Sequence, residues 1–388
     1  MIISVLGLAG EFQGEKTTAY YGADVLNKKS GDYHNSTDFL LKNYNDKFYL
    51  LGTKTAIECQ KRLLDFPLES EFYEVSDNNL DDVFEKVFEL ISMAKDEKVL
   101  LDITHGFRDQ SISAIFSGTL HIFLNQSNVE IIFAKQEQAF VKYEYLLMKN
   151  YINITQLALL FTGFIRTLNF VNSVEVENLN TLAFENFSKA LLSNDFKKLE
   201  FSYKNLSASL KEAKKRKEFD YLKELFIQIE ETLQGFQSFG EKKLHEKYMI
   251  LAKIMVEKNY SLLALTYLFE AIRLYVSYSF FRKKIISHHA WHNVDMYRLN
   301  SESISCICQK EFGKRYRKTR YDKNDFYENN FRIFEPIAKE YKKLRELRND
   351  LTHINHKKSS PNINNDLKVL LESVGRLIEN DVLQELKK

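Results

Sequence analysis

Residues 98–108 read Lys-Val-Leu-Leu-Asp-Ile-Thr-His-Gly-Phe-Arg, and the fold class turns on them. Lys98 to Ile103 form a short apolar run of strand length. Thr104, His105 and Gly106 interrupt it, and a helical pattern follows over 108–124. A strand that passes through a tight loop into a helix is the building unit of a parallel sheet. The unit repeats. Residues 1–6 form an apolar run ending at Gly7, and 47–51 form another ending at Gly52-Thr53, with a helical pattern over 53–65. Residues 71–75 are a weaker strand, followed by a helical pattern over 79–95. Residues 129–134 are a fifth, and 139–145 alternate after a Lys-Gln-Glu-Gln turn, which predicts a closing hairpin. The N-terminal part is therefore expected to be α/β, with a parallel-dominated, doubly wound sheet.

Composition sets the outer bounds. The 388 residues suffice for two or three domains with real cores. The chain is 44% hydrophobic and 28% charged, as in globular proteins, and 3 prolines and 13 glycines favour long helices with short connections. A net charge of +2 rules out the global basic field of a non-specific nucleic-acid binder, so any RNA contact must be local. Three cysteines, Cys59, Cys306 and Cys308, make no disulfide framework and suit a reduced, cytoplasmic setting. Cys306-x-Cys308 is too tight for the usual zinc spacing. The first residues lack a basic leader, and no apolar run is long enough to span a membrane.

In a doubly wound sheet, ligands bind at the carboxyl ends of the strands. Three such ends carry small or hydrogen-bonding residues: Gly7-Leu8-Ala9-Gly10, Gly52-Thr53-Lys54 and Thr104-His105-Gly106-Phe107-Arg108. Small residues let backbone N–H groups approach a phosphate, helix starts after Thr53 and Arg108 add positive dipole ends, and Arg108 supplies a fixed cation. The wide spacing of Gly7, Gly10 and Gly14 does not match a dinucleotide fingerprint, and there is no phosphate-binding Lys-Ser/Thr pair. Taken singly, Gly7 and Gly52 could serve only as turn residues and His105 only as a strand-end residue satisfied by backbone. Convergence of the three ends favours a phosphate-bearing ligand.

The C-terminal third is helical. Residues 244–256 and 260–281 are long helical patterns, the second apolar nearly all round and hence buried in a bundle. Glu270 and Arg273 interrupt it three apart, the spacing of a structural ion pair. Pro336 can open the next helix, in which Ile337, Tyr341, Leu344, Leu347 and Leu351 form an apolar stripe. That helix ends in Arg348-Asn-Asp-Leu-Thr-His353. Arg348 borders the buried stripe, and its charge cannot be neutralised there, so it needs an anion or a carboxylate. Arg348 and His353 diverge by roughly 140° on a regular helix. One copy would not focus both on one atom, whereas two copies across a two-fold axis could pool two of each. On its own, the spacing fits equally a salt-bridged Arg and a capping His.

Two stretches carry a resemblance to a known family. Gly7-Leu8-Ala9-Gly10 and above all Asp102-Ile-Thr-His-Gly-Phe-Arg108 resemble the Rossmann-like CARF sensor domain of type III CRISPR-associated proteins, although the first loop often reads Gly-Thr-Gly there. Arg348-Asn-Asp-Leu-Thr-His353 resembles the Arg-x4-6-His motif of HEPN ribonucleases. The order, sensor first and HEPN last, matches the CARF–HEPN ribonucleases, and the resemblance covers both ends of the chain. It implies a cyclic oligoadenylate activator, expected as cyclic tetra-adenylate, bound by Gly7, Leu8, Ala9, Gly10, Gly52, Thr53, Thr104, His105, Gly106 and Arg108 across a homodimer or higher oligomer. It implies an α/β sensor domain at 1–150 and an all-α HEPN bundle at 241–388, and leaves the middle unassigned, where the helical pattern predicts a connector over 151–240. It further implies metal-independent cleavage of single-stranded RNA, with Arg348, His353 and Asn349 as catalytic residues and no metal or resident cofactor. Two alternatives remain: a ring nuclease acting in the N-terminal domain through Thr104 and His105, and a non-enzymatic nucleotide-sensing adaptor.

Other stretches are expected to be structural or stay open. Leu157, Leu160, Phe161, Phe164, Ile165 and Leu168 predict a helix, 169–180 a polar break, and 182–193 another helix. Residues 211–217 read as a solvated basic face. His288, His289 and His292 beside Trp291 lack further metal ligands. Residues 314–320, Lys-Arg-Tyr-Arg-Lys-Thr-Arg, with Tyr321 after them, suit either an exposed loop or contacts to RNA phosphates and bases. A last amphipathic helix is expected over 366–386.

Overall fold

The computed structural model describes residues 1–76, 79–95, 97–125, 128–171, 176, 178–284, 329–352 and 363–387. They form two compact units. The first comprises Met1–Thr162, Phe170–Glu185 and Glu212–Leu225, and the second Gly163–Asn169, Asn186–Lys211 and Phe226–Lys388.

The first unit is built on strands β1 (Ile2–Val5), β2 (Glu11–Phe12), β3 (Glu15–Lys16), β4 (Ala19–Gly22), β5 (Gly31–Tyr33), β6 (Phe48–Gly52), β7 (Glu71–Glu74), β8 (Val99–Asp102), β9 (Val129–Gln138) and β10 (Lys142–Leu147). Eight of them make one sheet in the order β5-β4-β10-β9-β8-β1-β6-β7, and β2 and β3 form a separate small hairpin. β9, β8, β1, β6 and β7 run parallel, whereas β10 returns antiparallel to β9. The expected parallel sheet with its closing hairpin is therefore present, but the residues read as its turn, 135–138, belong to β9, and the turn falls at 139–141.

Central strands must be apolar on both faces, and these are: every residue of β1, β6 and β8 is buried. The two-residue period sorts them. Ile2, Leu6, Leu50 and Leu100 face one core, shared with Phe39 and Leu40 of helix α1 (Ser36–Asn43) and Ala56 and Ile57 of α2 (Lys54–Leu63). Ile3, Val5, Leu51 and Leu101 face the other, shared with Val83, Val87 and Leu90 of α3 (Leu80–Met93) and Ala114 of α4 (Arg108–Asn125). The chain leaves β1 toward β6 on one side and comes back to β8 on the other. The topological switch point thus lies between β1 and β8. The segment between β1 and β6 gave no clear sequence pattern, yet it adds β4 and β5 to the sheet and the short α1 to its face.

Helices α5 (Lys149–Thr167), α6 (Thr181–Leu192), α7 (Phe196–Ala213) and α8 (Lys223–Thr232) follow. Leu157, Phe161, Phe164 and Leu168 are buried as their spacing predicts, and 211–217 is largely solvent-facing. The second unit then carries α9 (Leu244–Glu257), α10 (Ser261–Arg282), α11 (Phe331–Thr352) and α12 (Ile363–Glu379). α10 is the most buried of these, as its all-round apolar sequence requires. Ring pairs Phe269–Tyr341 (4.8 Å) and Phe280–Phe334 (5.5 Å) set α11 antiparallel to it. Glu270 and Arg273 form the expected ion pair, with both carboxylate oxygens bonded to one guanidinium nitrogen at 2.8 and 2.9 Å.

Two helix boundaries differ from expectation. α11 begins at Phe331, and Pro336 lies inside it rather than opening it. Phe334, fully buried against Phe280, and Asn330, bonded to both the Lys387 carbonyl and its N–H, anchor the extra turn. Pro336 falls in the second turn, so the helix forgoes one bond there, to the Arg332 carbonyl. α12 starts at Ile363 and stops at Glu379, where Asp381 adopts a left-handed conformation (φ 43°) before a short 3-10 turn.

Candidate functional site

The switch point is where the three predicted loops meet. A Cβ placed on Gly7 would lie 2.7 Å from the Gly106 nitrogen, one on Gly106 would lie 2.6 Å from Val5, and one on Gly52 would lie 2.9 Å from Leu6. The loops after β1, β6 and β8 thus approach so closely that no side chain fits between them. Gly106 also holds φ +94°, a region that L side chains rarely adopt.

Beneath the loops lies a polar network centred on Asp102, which is fully buried. Its carboxylate accepts from the hydroxyls of Ser4 (3.1 Å), Ser36 (2.8 Å) and Thr104 (2.5 Å) and from the Thr104 N–H (3.0 Å). The Thr104 hydroxyl also accepts from the Ala134 N–H at 2.9 Å, which ties the loop to β9. A buried carboxylate is tolerated only when so surrounded. His105 is half-buried, and its Nε2 accepts from the Ser36 N–H at 3.1 Å. The ring therefore satisfies a first-turn donor of α1 and carries its proton on Nδ1. Burial lowers its pKa, overriding the opposite pull of Asp102.

The first loop is held from behind. Gln60 donates to the carbonyls of Gly7 (2.7 Å) and Ala9 (3.0 Å), and Asn35 donates to the Ala9 carbonyl (2.9 Å) and to Gln60 (2.8 Å). The peptides of this loop are trans, so the N–H groups of Leu8 and Gly10 point away from that anchor. Leu8, Phe107 and Arg108 are exposed at the rim. Arg108 is the first residue of an 18-residue helix, where a cation opposes the dipole and an anion beside it would be favoured. Thr53 caps α2 by accepting from the Ala56 N–H at 3.3 Å, and Gly52 is buried. The structure thus gathers Gly7, Leu8, Ala9, Gly10, Gly52, Thr53, Thr104, His105, Gly106 and Arg108 around one switch point. Within that group, Thr53, Thr104 and His105 have hydrogen bonds inside the protein, whereas Leu8 and Arg108 face out.

Ser4, Ser36, Asn35 and Gln60 were not singled out from the sequence. Their partners lie 25 to 98 positions away, and no local pattern reveals such pairs. One local signal existed: Asn35 accepts from the Asp38 N–H, the mark of a helix start.

The second candidate group is on α11. The Arg348 guanidinium stands 5.3 Å from the centre of the Phe269 ring, which itself stacks on Tyr341. Arg273, nine-tenths buried on α10, reaches the same ring at 6.0 Å. Asn349 is exposed. His353 lies outside the described residues, as do Cys306, Cys308, the His288–His292 cluster and the basic stretch at 314–320. Among the described residues no helix is long and apolar enough to cross a membrane.

No family model matches this chain, and no curated protein matches it. Among solved structures it is similar to Enterococcus italicus Csm6 bound to cyclic hexa-2′-fluoro-hexa-dAMP, with 98% of this chain and 93% of that chain covered, 12% identity and a TM-score of 0.41.

Proposed function

We propose that this chain is a cyclic-oligoadenylate-activated endoribonuclease of the CARF–HEPN kind, acting in type III CRISPR defence. The observation that carries the reading is the placement of Asp102-Ile-Thr-His-Gly-Phe-Arg108. The stretch resembles the sensor motif, and it ends β8 at the switch point, locked against the Gly7–Gly10 loop. Outward amides of Leu8 and Gly10 and the cation of Arg108 suit the phosphates of an oligonucleotide ring.

A ring of repeating nucleotides has rotational symmetry and is best read by two copies of one site. α4 offers a surface for that. Ile112, Phe116, Leu120 and Leu124 recur at four-residue steps on it, and all are exposed. The row begins one turn after Arg108, so a two-fold axis beside α4 sets two sensor loops next to each other. The same dimer supplies two copies of α11.

On α11 the chemistry needs little. RNA carries its own nucleophile, the 2′-hydroxyl. Arg348 holds the scissile phosphate with its planar fork, His353 moves the proton, and Asn349 orients one or the other. The products are a 2′,3′-cyclic phosphate and a 5′-hydroxyl, and no step calls for a metal. Activator binding switches the pair on because the ring favours one dimer arrangement over another. Cutting of the ring by the sensor itself is the weaker reading: the Thr104 hydroxyl and His105 Nε2 are both engaged by backbone amides.

The test is a fluorogenic single-stranded RNA incubated with the full chain and EDTA, with and without cyclic tetra-adenylate or cyclic hexa-adenylate. Cleavage that appears only with a ring and leaves cyclic phosphate ends is expected. Absence of cleavage with either ring, or full loss in EDTA, overturns the reading.

A further inference from the structure

The second unit contains a cavity of about 390 Å³. It sits where α9 begins and where α10 and α12 end. Arg348 belongs to the other end of the bundle. Phe269, its ring partner, is nine residues before the cavity residue Tyr278, or about 14 Å along α10.

Three features of the cavity point to a ligand. The first is the start of α9. Lys243 occupies the capping position of this 14-residue helix, and its side chain accepts nothing from the first turn. A lysine there opposes the dipole, while the free first-turn N–H groups favour an anion. The second is His245, which lines the cavity and is only 4% exposed. Its ring lies 5.5 Å from those of Tyr275 and Tyr278 and makes no hydrogen bond among the described residues, so its nitrogens are left to the cavity it lines. The third is the charge arrangement. The Lys243 ammonium stands 4.6 Å over the Tyr278 ring and makes no ion pair among the described residues. The nearby carboxylates are largely engaged: Asp381 is gripped by Arg282 (2.5 and 3.0 Å) and Tyr275 (3.0 Å), and Glu246 accepts from the Lys243 N–H (2.9 Å). Glu379, at the mouth, is not. Met249, Ile250 and Ile378 supply an apolar wall.

We infer that this cavity is a second nucleotide site, which takes one nucleoside monophosphate unit. The phosphate sits at the start of α9 with Lys243. The base lies against Tyr278 and the apolar wall, and its edge bonds to the unpaired nitrogens of His245. The volume falls in the range of small-ligand sites and suits one nucleotide rather than a ring of four. Free mononucleotide and the phosphorylated end of an RNA chain share this chemistry. The inference uses neither Arg108 nor Arg348 and stands apart from the ribonuclease reading.

Calorimetric titration of the full chain with 5′-AMP, adenosine, inorganic phosphate, and a short oligoadenylate bearing either a 5′-phosphate or a 5′-hydroxyl tests it. One 5′-AMP, or one 5′-phosphorylated strand, is expected per chain, with adenosine and phosphate at least about tenfold weaker. Tighter binding of the phosphorylated strand than of 5′-AMP identifies an RNA end as the source; the reverse identifies free nucleotide. Lys243→Ala removes an ammonium whose contact in the fold is the face of Tyr278, and is expected to weaken binding about tenfold or more with little change in Tm. His245→Gln tests the base edge. Should it fail to fold, the lysine variant decides alone. No saturable binding of 5′-AMP or the phosphorylated strand, or equal 5′-AMP affinity in wild type and Lys243→Ala, overturns the inference.

Discussion

The switch-point loops of the first unit and the cavity of the second are both polar, but they are built on opposite plans. At the switch point the buried carboxylate and the loop carbonyls have their partners inside the protein: Asp102 alone receives four hydrogen bonds, and Gln60 and Asn35 hold the loop carbonyls, while the Gln110 side-chain nitrogen is left without a partner. The surface offered to a ligand is what remains, outward amides and one exposed Arg108. In the C-terminal cavity two lining groups, His245 and Lys243, make no side-chain hydrogen bond or ion pair among the described residues. A self-satisfied network fixes a shape in advance, and a ligand adds to it. An unsatisfied cavity is completed by its ligand. The first plan suits a sensor that must hold its geometry while empty, because pre-organisation lowers the cost of binding.

Four experiments break or sharpen that contrast, beginning with the largest effect. His353→Ala should cut RNA cleavage by about 10²–10⁴-fold and leave activator affinity unchanged, as expected for a lost proton-transfer group. Arg108→Ala should do the reverse, raising the activator concentration needed while the fully activated rate persists. Cleavage kinetics and ring titration on both variants separate the two units, and a parallel loss of both properties in either variant would merge them.

Next comes the network. Asp102→Ala leaves the hydroxyls of Ser4, Ser36 and Thr104 without their acceptor, and should lower unfolding free energy by about 3 kcal/mol or more in denaturant titration. Loss of under about 1 kcal/mol would show that water replaces the carboxylate and that the site is not pre-built.

Acid should act on both units. Burial is the main cause that holds His105, His121 and His245 below the ordinary imidazole pKa. For each, the unfolded chain binds a proton more readily than the folded one. Stability is therefore full above about pH 6.5 and declines as the pH falls below it. Tm measured from pH 7.5 to 5 should show that decline, and His245→Gln should make the curve shallower. A flat curve would mean that these rings take protons without strain.

The smallest effect is a gain. Gly163 lies within α5, and a Cβ there would meet no neighbour within 4 Å. Gly163→Ala should raise stability by about 0.5–1 kcal/mol, since alanine is the better helix former. Gly7→Ala, with its clash against the Gly106 nitrogen, is the contrasting loss.

The sheet was legible because its signal is local and periodic. Ile2 to Leu6, Phe48 to Leu51 and Val99 to Ile103 are apolar runs that end in glycine or threonine, and each is a central strand. β4 and β5 escaped notice: Ala19–Gly22 and Gly31–Tyr33 are four and three residues long, too short to show a period. α10 was legible from an all-round apolar sequence, and the Glu270–Arg273 pair from its spacing. The start of α11 was misplaced because Pro336 is a strong punctuation mark, whereas the buried Phe334 that extends the helix reveals its role only against Phe280. For the candidate sites, the sequence shows which loops converge but not what braces them. Ser4, Asp102 and Ser36 meet only once the chain is folded, and the cavity draws on the ends of three helices.

The strand order has a consequence for assembly. The sheet terminates in β5 on one side and β7 on the other. β5 is three residues long, and β7 bears Glu71 and Glu74 at its two ends, with Glu71 ion-paired to Lys47 at 2.6 Å. Short or charged rims resist the addition of a foreign strand. Self-association by continuing the sheet from molecule to molecule, the route that leads to fibrils, is thereby discouraged at both margins.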